Sequence, residues 1–327
     1  MKAYQPKNIK EHNKNLIIQI LKDSELPLTK RELSDQAKLS VVTINKLIPE
    51  LVETQVITEF DSPIETGGRY ATAYEFNANY QAILINLFVE RHGEKVVDFY
   101  VINLLGQIID QVELTAITLD KFIQEIIAIK DQHPEIRLSI TGILGVEHDN
   151  TLKIIDIESF KHVDLNQVIT EAIDVPSYIE NDVNAAALGF STEDTPVVAS
   201  IYFPEISEVG GALIINQWIF KGHNNLSGEL KHLPFIHQKQ FPLKKDERQA
   251  VIQDAIQSMV ALYDPSDILI FIPTTWYTST LVAQVEQSIA QVFSYALSVN
   301  IHLSQDFTHY YLQGLIKLAL SKVELTV

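Results

Sequence analysis

The chain has 327 residues, 46% hydrophobic and 20% charged, with 25 Lys+Arg against 42 Asp+Glu for a formal net charge of −17. This excludes wholesale disorder and a protein that coats its whole surface in phosphate contacts. Its lack of cysteine excludes disulfides, thiolate zinc ligands and a cysteine nucleophile, and fits a reducing, cytoplasmic setting. The N-terminal MKAYQPKNIKEHNK has no apolar core of the signal-peptide kind. The longest apolar runs, such as AILINLFV, fall far short of the ~20 residues that span a bilayer, so no membrane partner is expected.

The charge is uneven. Residues 1–80 carry 10 Lys/Arg against 11 Asp/Glu, which leaves −16 of the total to the remainder. Lys30, Arg31, Lys38 and Lys46 make residues 29–48 locally basic, a pattern that points to a nucleic-acid-binding segment. In IKEHNKNLIIQILK, residues 9–22, the spacing of Ile9, Leu16, Ile17, Ile20 and Leu21 predicts an amphipathic helix. Thr29 and Glu32 form a capping-box signature for a short second helix, with Leu33 and Ala37 facing inward. Ser40 suits the N-cap of a third helix whose apolar stripe is Ile44, Leu47, Ile48 and Leu51. Pro49 within it is expected to end the base-reading turn or to bend the axis.

VITEF and YATAYEF then read as two strands around the turn DSPIETGGR. Three short helices and a hairpin give a winged helix-turn-helix over residues 1–78, although the same layout occurs in protein-interaction modules. In the DNA-binding form the third helix enters the major groove. Its first turn offers Val41 and Val42 to thymine methyls and Asn45 to adenine, with Ser40, Thr43 and Lys46 suited to phosphates. Arg69 at the wing tip is placed for a minor groove or the backbone.

From residue 79 the pattern becomes α/β. AILINLFVE, KVVDFYVIN and GQIIDQVEL read as a three-strand meander, and LDKFIQEIIAIKDQ as an amphipathic helix. IRLSITGILG is a buried strand entering a Gly-bearing loop, LNQVITEAID a helix and PSYIEND a short strand. VNAAALGF is a helix that starts at that strand's end. Strands and helices alternating this way give α/β layers on a mixed sheet, whose sites lie at strand ends. That directs attention to Asn181 and Asp182.

TGILGVEHDNTLKI, IENDVNAAALG (179–189), GGALIINQWIFKGHNNLSGELKH (210–232) and ALYDPSDILIF together resemble the ROK family of sugar kinases and sugar-responsive repressors. IENDVNAAALG is similar to the family's END-x-N-A-A-A pattern. The second long segment resembles the stretch ending in GE-x-GH, and a helix-turn-helix followed by GGR resembles the front end of the repressor branch. The resemblance implies an actin-like, ribonuclease H-like two-lobed domain over residues 79–327. It also implies sugar-hydroxyl contacts at Asn181, Asp182, Glu229 and His232, side chains that give and accept hydrogen bonds in fixed directions. The plainer reading has Asn181 and Asp182 capping the next helix and His232 as a core histidine.

The sequence departs from the kinases of the family. The phosphate loop Asp-x-Gly-x-Thr is absent from LINLFVERHGEK, where Asn86 is nearest to the Asp position. FPEISEVGGAL places Glu205 and Glu208 where phosphates would want backbone N–H groups, and IFIPTTWYT replaces a Gly-rich adenosine contact. The family's His and three Cys for zinc are missing, so no metal and no cofactor are expected.

The resemblance thus implies a non-enzymatic, sugar-responsive repressor of carbohydrate genes. Its partners are double-stranded operator DNA and a sugar or sugar phosphate held between the lobes, and it assembles as a homodimer or tetramer. The alternatives are a divergent sugar kinase with Asp182 as base, and a regulator that no longer binds sugar.

Overall fold

Capping chemistry sets the first helices. The computed structural model describes residues 6–60, 72–91, 93–148, 151–155, 157–205, 208–278, 280–293 and 298–323. Helix α1 spans Pro6–Asp23, a two-residue strand β1 spans Leu28–Thr29, and α2 spans Lys30–Ala37. The Thr29 hydroxyl accepts from Glu32 N while a Glu32 carboxylate oxygen accepts from Thr29 N at 2.8 Å, the reciprocal box that the sequence predicts. Helix α3, Val41–Glu53, starts where Ser40 Oγ accepts from Thr43 N at 3.1 Å. It runs through Pro49 without ending there.

Ile44, Leu47, Ile48 and Leu51 of α3 pack on Ile17, Ile18, Leu21 and Leu33. Lys10 and Lys14 of α1 hold Glu50 of α3 at 2.7 and 3.1 Å. Strands β2 (Ile57–Phe60) and β3 (Ala73–Phe76) pair antiparallel, and β1 adds to the other edge of β3. Arg69 lies outside the described residues. The N-terminal unit leans on the body through Leu104 and Val323, which join its core. Leu104 N also donates to Ala78 O at 3.0 Å.

The body begins with β4 (Ala82–Arg91), β5 (Glu94–Asn103) and β6 (Ile108–Leu114), the expected meander. Then follow α4 (Leu119–Gln132), β7 (Ile136–Ile143), the hairpin β8 (Gly145–His148) and β9 (Thr151–Ile155), α5 (Leu165–Ile173), β10 (Ser177–Asn181) and α6 (Asp182–Phe190). The first sheet has the order β10-β7-β4-β5-β6, with β7 parallel to both β4 and β10.

A second sheet repeats that plan. Strands β11 (Val197–Tyr202), β12 (Gly210–Ile215) and β13 (Trp218–Ile219) form a meander, and helices α7 (Pro234–His237) and α8 (Lys245–Tyr263) follow. After them come β14 (Asp267–Phe271), α9 (Leu281–Val292), β15 (Asn300–Ser304) and α10 (Phe307–Lys322). The order is β13-β12-β11-β14-β15, with β14 parallel to both β11 and β15. Each sheet is thus three antiparallel strands extended by two parallel ones. This duplicated plan is the two-lobed, actin-like architecture.

Helices α6 and α10 lie between the sheets. Their close approach depends on two glycines: a Cβ on Gly314 would fall 1.7 Å from Ala185 O, and one on Gly189 2.0 Å from Tyr310 O. Lys317 of α10 then caps the end of α6, its ammonium donating to the carbonyls of Leu188, Gly189 and Ser191 at 3.2, 2.9 and 2.6 Å.

Candidate functional site

The strand–helix corner β10–α6 places the END triplet at the rim of a cavity of about 740 Å³ between the sheets. Asn181 is the N-cap of α6: its Oδ1 accepts from Val183 N and Asn184 N, and its Nδ2 donates to Gly145 O at 2.9 Å. The capping reading therefore holds for Asn181, and it fixes the corner on which Asp182 sits. Asp182 is buried, lines the cavity and accepts from Val183 N at 2.9 Å. Burial pushes its carboxyl up to about 7, against the pull of that N–H and of the Lys95 charge. Tyr202 lines the same cavity, and its phenol is pushed far above its ordinary range by burial and by the charges of Asp182 and Glu90.

Glu229 joins Asn181 and Asp182 on the cavity lining. Lys231 stands 3.4 Å from Glu229 and 3.6 Å from Glu208. The Gly211–Gly228 contact brings this segment against β12, because a Cβ on Gly228 would lie 2.1 Å from Gly211 O.

His232 does not join them. It closes the single 3-10 turn Leu230–His232, where successive side chains point about a third of a turn apart. Leu230 is thereby buried and Lys231 faces the cavity, while His232 is exposed with its ring 6.3 Å from that of His237. A family-type zinc site does not fit this loop. The chain has no cysteine, and among the described residues no three His, Asp or Glu side chains are grouped to hold a metal.

Sequence reasoning missed Glu180, the first residue of the triplet. It is buried, with Oε1 accepting from Asn181 N and Asn184 Nδ2, both at 3.0 Å. Its Oε2 meets Lys221 Nζ at 2.8 Å, which ties β10 of one sheet to the segment after β13 of the other. The signal was present in the END triplet, but its partner lies 41 positions away.

The β4–β5 hairpin forms part of the cavity wall. Pairing continues unbroken to Arg91↔Glu94, so Val89, Glu90 and Lys95 line the cavity. Lys95 pairs with Glu90. Asn86 is fully buried in the sheet, its Nδ2 donating to Ser139 Oγ at 3.0 Å and Thr141 Oγ1 at 2.9 Å. It is a structural cross-tie, remote from any phosphate role. Arg91 closes the hairpin on Asp98, which is wholly buried, and also pairs with Glu113. Arg91→Ala is expected to cost about 2–3 kcal/mol in urea titrations, because it strands a buried carboxylate. The figure is held down because Arg91 is itself partly exposed. Adding Asp98→Asn should recover part of the loss.

The first-turn residues of α3 present a continuous face. Ser40, Val41, Val42, Asn45 and Lys46 are exposed and Thr43 is half-buried, while Ile44 and Leu47 turn inward. Thr43 Oγ1 and Ser40 Oγ lie 2.9 Å apart, so both hydroxyls are partly engaged in the cap.

An N-terminal unit of winged-helix type on a duplicated α/β body with an interlobe cavity defines the class: a two-lobed, actin-like protein with an appended helix-turn-helix. The model of the ROK family matches residues 91–249 of the chain. It is 24% identical over 242 residues to a xylose repressor of Caldicellulosiruptor bescii, covering 68% of this chain and 59% of that protein. It is 25% identical over 245 residues to the xylose repressor of Bacillus subtilis, covering 69% and 61%. The chain thus spans about three fifths of the length of these curated relatives.

Among solved structures it resembles a ROK family transcriptional regulator described as a homolog of the E. coli MLC protein. The TM-score is 0.68 at 17% identity, over 95% of this chain and 96% of that one. A ROK hexokinase from Thermus thermophilus matches with a TM-score of 0.58 at 12% identity, over 74% of this chain and 99% of its own. These likenesses show the fold. No helix among the described residues is long and apolar enough to cross a membrane.

Proposed function

We propose that the chain is a sugar-responsive, DNA-binding transcriptional repressor of carbohydrate genes that works in the cytoplasm without catalysis. Residues 1–78 would read the operator, and residues 79–327 would bind the effector and dimerise. One observation carries the reading. The same chain joins an exposed helix face at the start of α3 to an interlobe cavity lined by Glu90, Glu205 and Glu208, acids that disfavour a polyphosphate there. The similarity to xylose repressors supports it.

The effector contacts are Asn181, Asp182 and Glu229, with Lys231 in the place expected for His232. Symmetric half-sites call for a homodimer. Ligand closing the two sheets about α6 and α10 would change the spacing of the two recognition helices, which requires different ligand affinities in the two states.

A gel shift against the upstream region of its own operon tests the DNA half of this reading; no salt-sensitive, sequence-specific complex would sink it. Within that assay Lys46→Ala should weaken binding to all sequences and lower the salt slope by about one. Asn45→Ala should relax preference at one base of each half-site, at a cost of about 1–3 kcal/mol there. Equal losses on specific and random DNA would contradict the Asn45 role.

The position of Asp182, with its carboxyl at about 7, favours a second reading as a kinase base. A coupled ADP-release assay over a sugar panel separates the two. The expected result is no turnover above the Asp182→Asn background.

A further inference from the structure

The cavity does not stop at Asp182. Past Tyr202, Pro204 and Glu205, which line both spaces, a second cavity of about 340 Å³ opens. It lies at the carboxyl ends of the parallel neighbours β11, β14 and β15, where α/β sheets hold ligands. Its polar side chains include Tyr202, Glu205, Thr274, Thr275, Ser304 and Gln305, and among the described residues no Lys, Arg or His lines it.

Hydroxyls, an amide and a carboxylate make directional hydrogen bonds to a ligand's hydroxyls. With no cation among the described residues lining this cavity, Glu205 repels a phosphate or carboxylate ligand there. The floor is apolar: Phe203 and Phe271 are buried, and the Tyr202 ring stacks on Phe307 at 4.1 Å. A polar rim over an aromatic floor suits a sugar ring, which is polar at its edge and apolar on its C–H face. Size agrees. The main cavity alone falls in the upper part of the roughly 300–1,000 Å³ range of ordinary ligand pockets. A monosaccharide held at Asn181, Asp182 and Glu229 leaves the Tyr202 side empty.

We infer that the cavity at the β11–β14–β15 strand ends is a second saccharide subsite, so that the effector is an uncharged oligosaccharide with one unit at the Asp182 end and the next beyond Tyr202. This rests on the sugar-effector reading above.

Calorimetry on the full chain tests it with xylose, xylobiose, xylotriose, glucose, cellobiose, maltose and melibiose, and with adenosine alongside. At least one disaccharide should bind about tenfold tighter than its monosaccharide. Thr275→Ala and Gln305→Ala, which line only the second cavity, should erase that gain while leaving the monosaccharide Kd in place. Both variants alter exposed side chains, so folding is not at risk. Monosaccharide binding with no disaccharide gain, or variants that weaken both ligands equally, overturns the subsite and leaves the effector reading standing. Silence across the whole panel overturns both. Adenosine binding tighter than any saccharide assigns the cavity to a nucleoside and likewise overturns the subsite.

Discussion

Asp182→Asn will make the protein more stable at pH 8 and deaf to its effector. The native carboxyl titrates at about 7, whereas the unfolded chain's value is near 3.8. Between those values the native state holds a proton that the unfolded state has lost, so stability falls as pH rises from about 4 to about 7. Above that window the ionised, buried carboxylate works against folding, by up to about 4 kcal/mol at ~1.36 kcal/mol per unit. Asparagine retains the oxygen that accepts from Val183 N and discards the charge.

Urea titrations should therefore show Asp182→Asn gaining about 1–4 kcal/mol over wild type at pH 8 and nothing at pH 3.5. Sugar should no longer alter operator binding, while operator affinity itself stays. A buried carboxyl with a raised pKa, set in a cavity, is a feature of functional sites. If operator binding collapses with Asp182→Asn, the residue is structural and the effector site lies elsewhere.

Gly314→Ala will unfold the body or come close to it. The added methyl would sit 1.7 Å from Ala185 O and 2.5 Å from its carbonyl carbon, both backbone atoms of a helix that cannot give locally. Overpacking costs typically 1–3 kcal/mol where side chains can adjust. Here two helices must separate, so about 3 kcal/mol or more is expected, with loss of soluble protein at growth temperature. Separating α10 from α6 would also dislodge Lys317 from the three carbonyls at the end of α6. A change below about 1 kcal/mol would show that the helix pair is looser than the glycines imply.

Local signals made much of the fold legible. Thr29 with Glu32, Ser40 before Val41, and the short apolar run AILINLFVE each state their structure within a few residues. Strand β1 escaped because two residues carry no period. The duplication of the sheets escaped for a similar reason: the third strand of the second meander is only Trp218–Ile219.

In the site, Asn181 and Asp182 were legible because a strand end followed by a helix fixes where they point. His232 was misplaced because Glu229 is the non-helical N-cap of the Leu230–His232 turn, so its side chain does not follow the turn's periodicity, and linear spacing does not show where the turn begins. Glu180 and Lys221 form a pair only once two sheets meet. Asn86 looked like a remnant of a phosphate loop because its partners, Ser139 and Thr141, lie on β7, more than fifty positions on.

The net charge of −17 takes on a definite shape. Glu90, Asp182, Glu205, Glu208 and Glu229 gather at one cavity, while the exposed face of α3 carries Lys46 and no acid in its first turn. Phosphate is repelled by the first surface and tolerated by the second, which suits a protein that grips DNA at one end and an uncharged sugar at the other.

The most direct measurement is fluorescence anisotropy of the labelled upstream fragment with the full chain, titrated with sugars at fixed salt. The account predicts a sequence-specific complex whose affinity shifts with one sugar series, and a shift that is absent in Asp182→Asn. An upstream fragment bound no better than random DNA, at every sugar concentration, would contradict it.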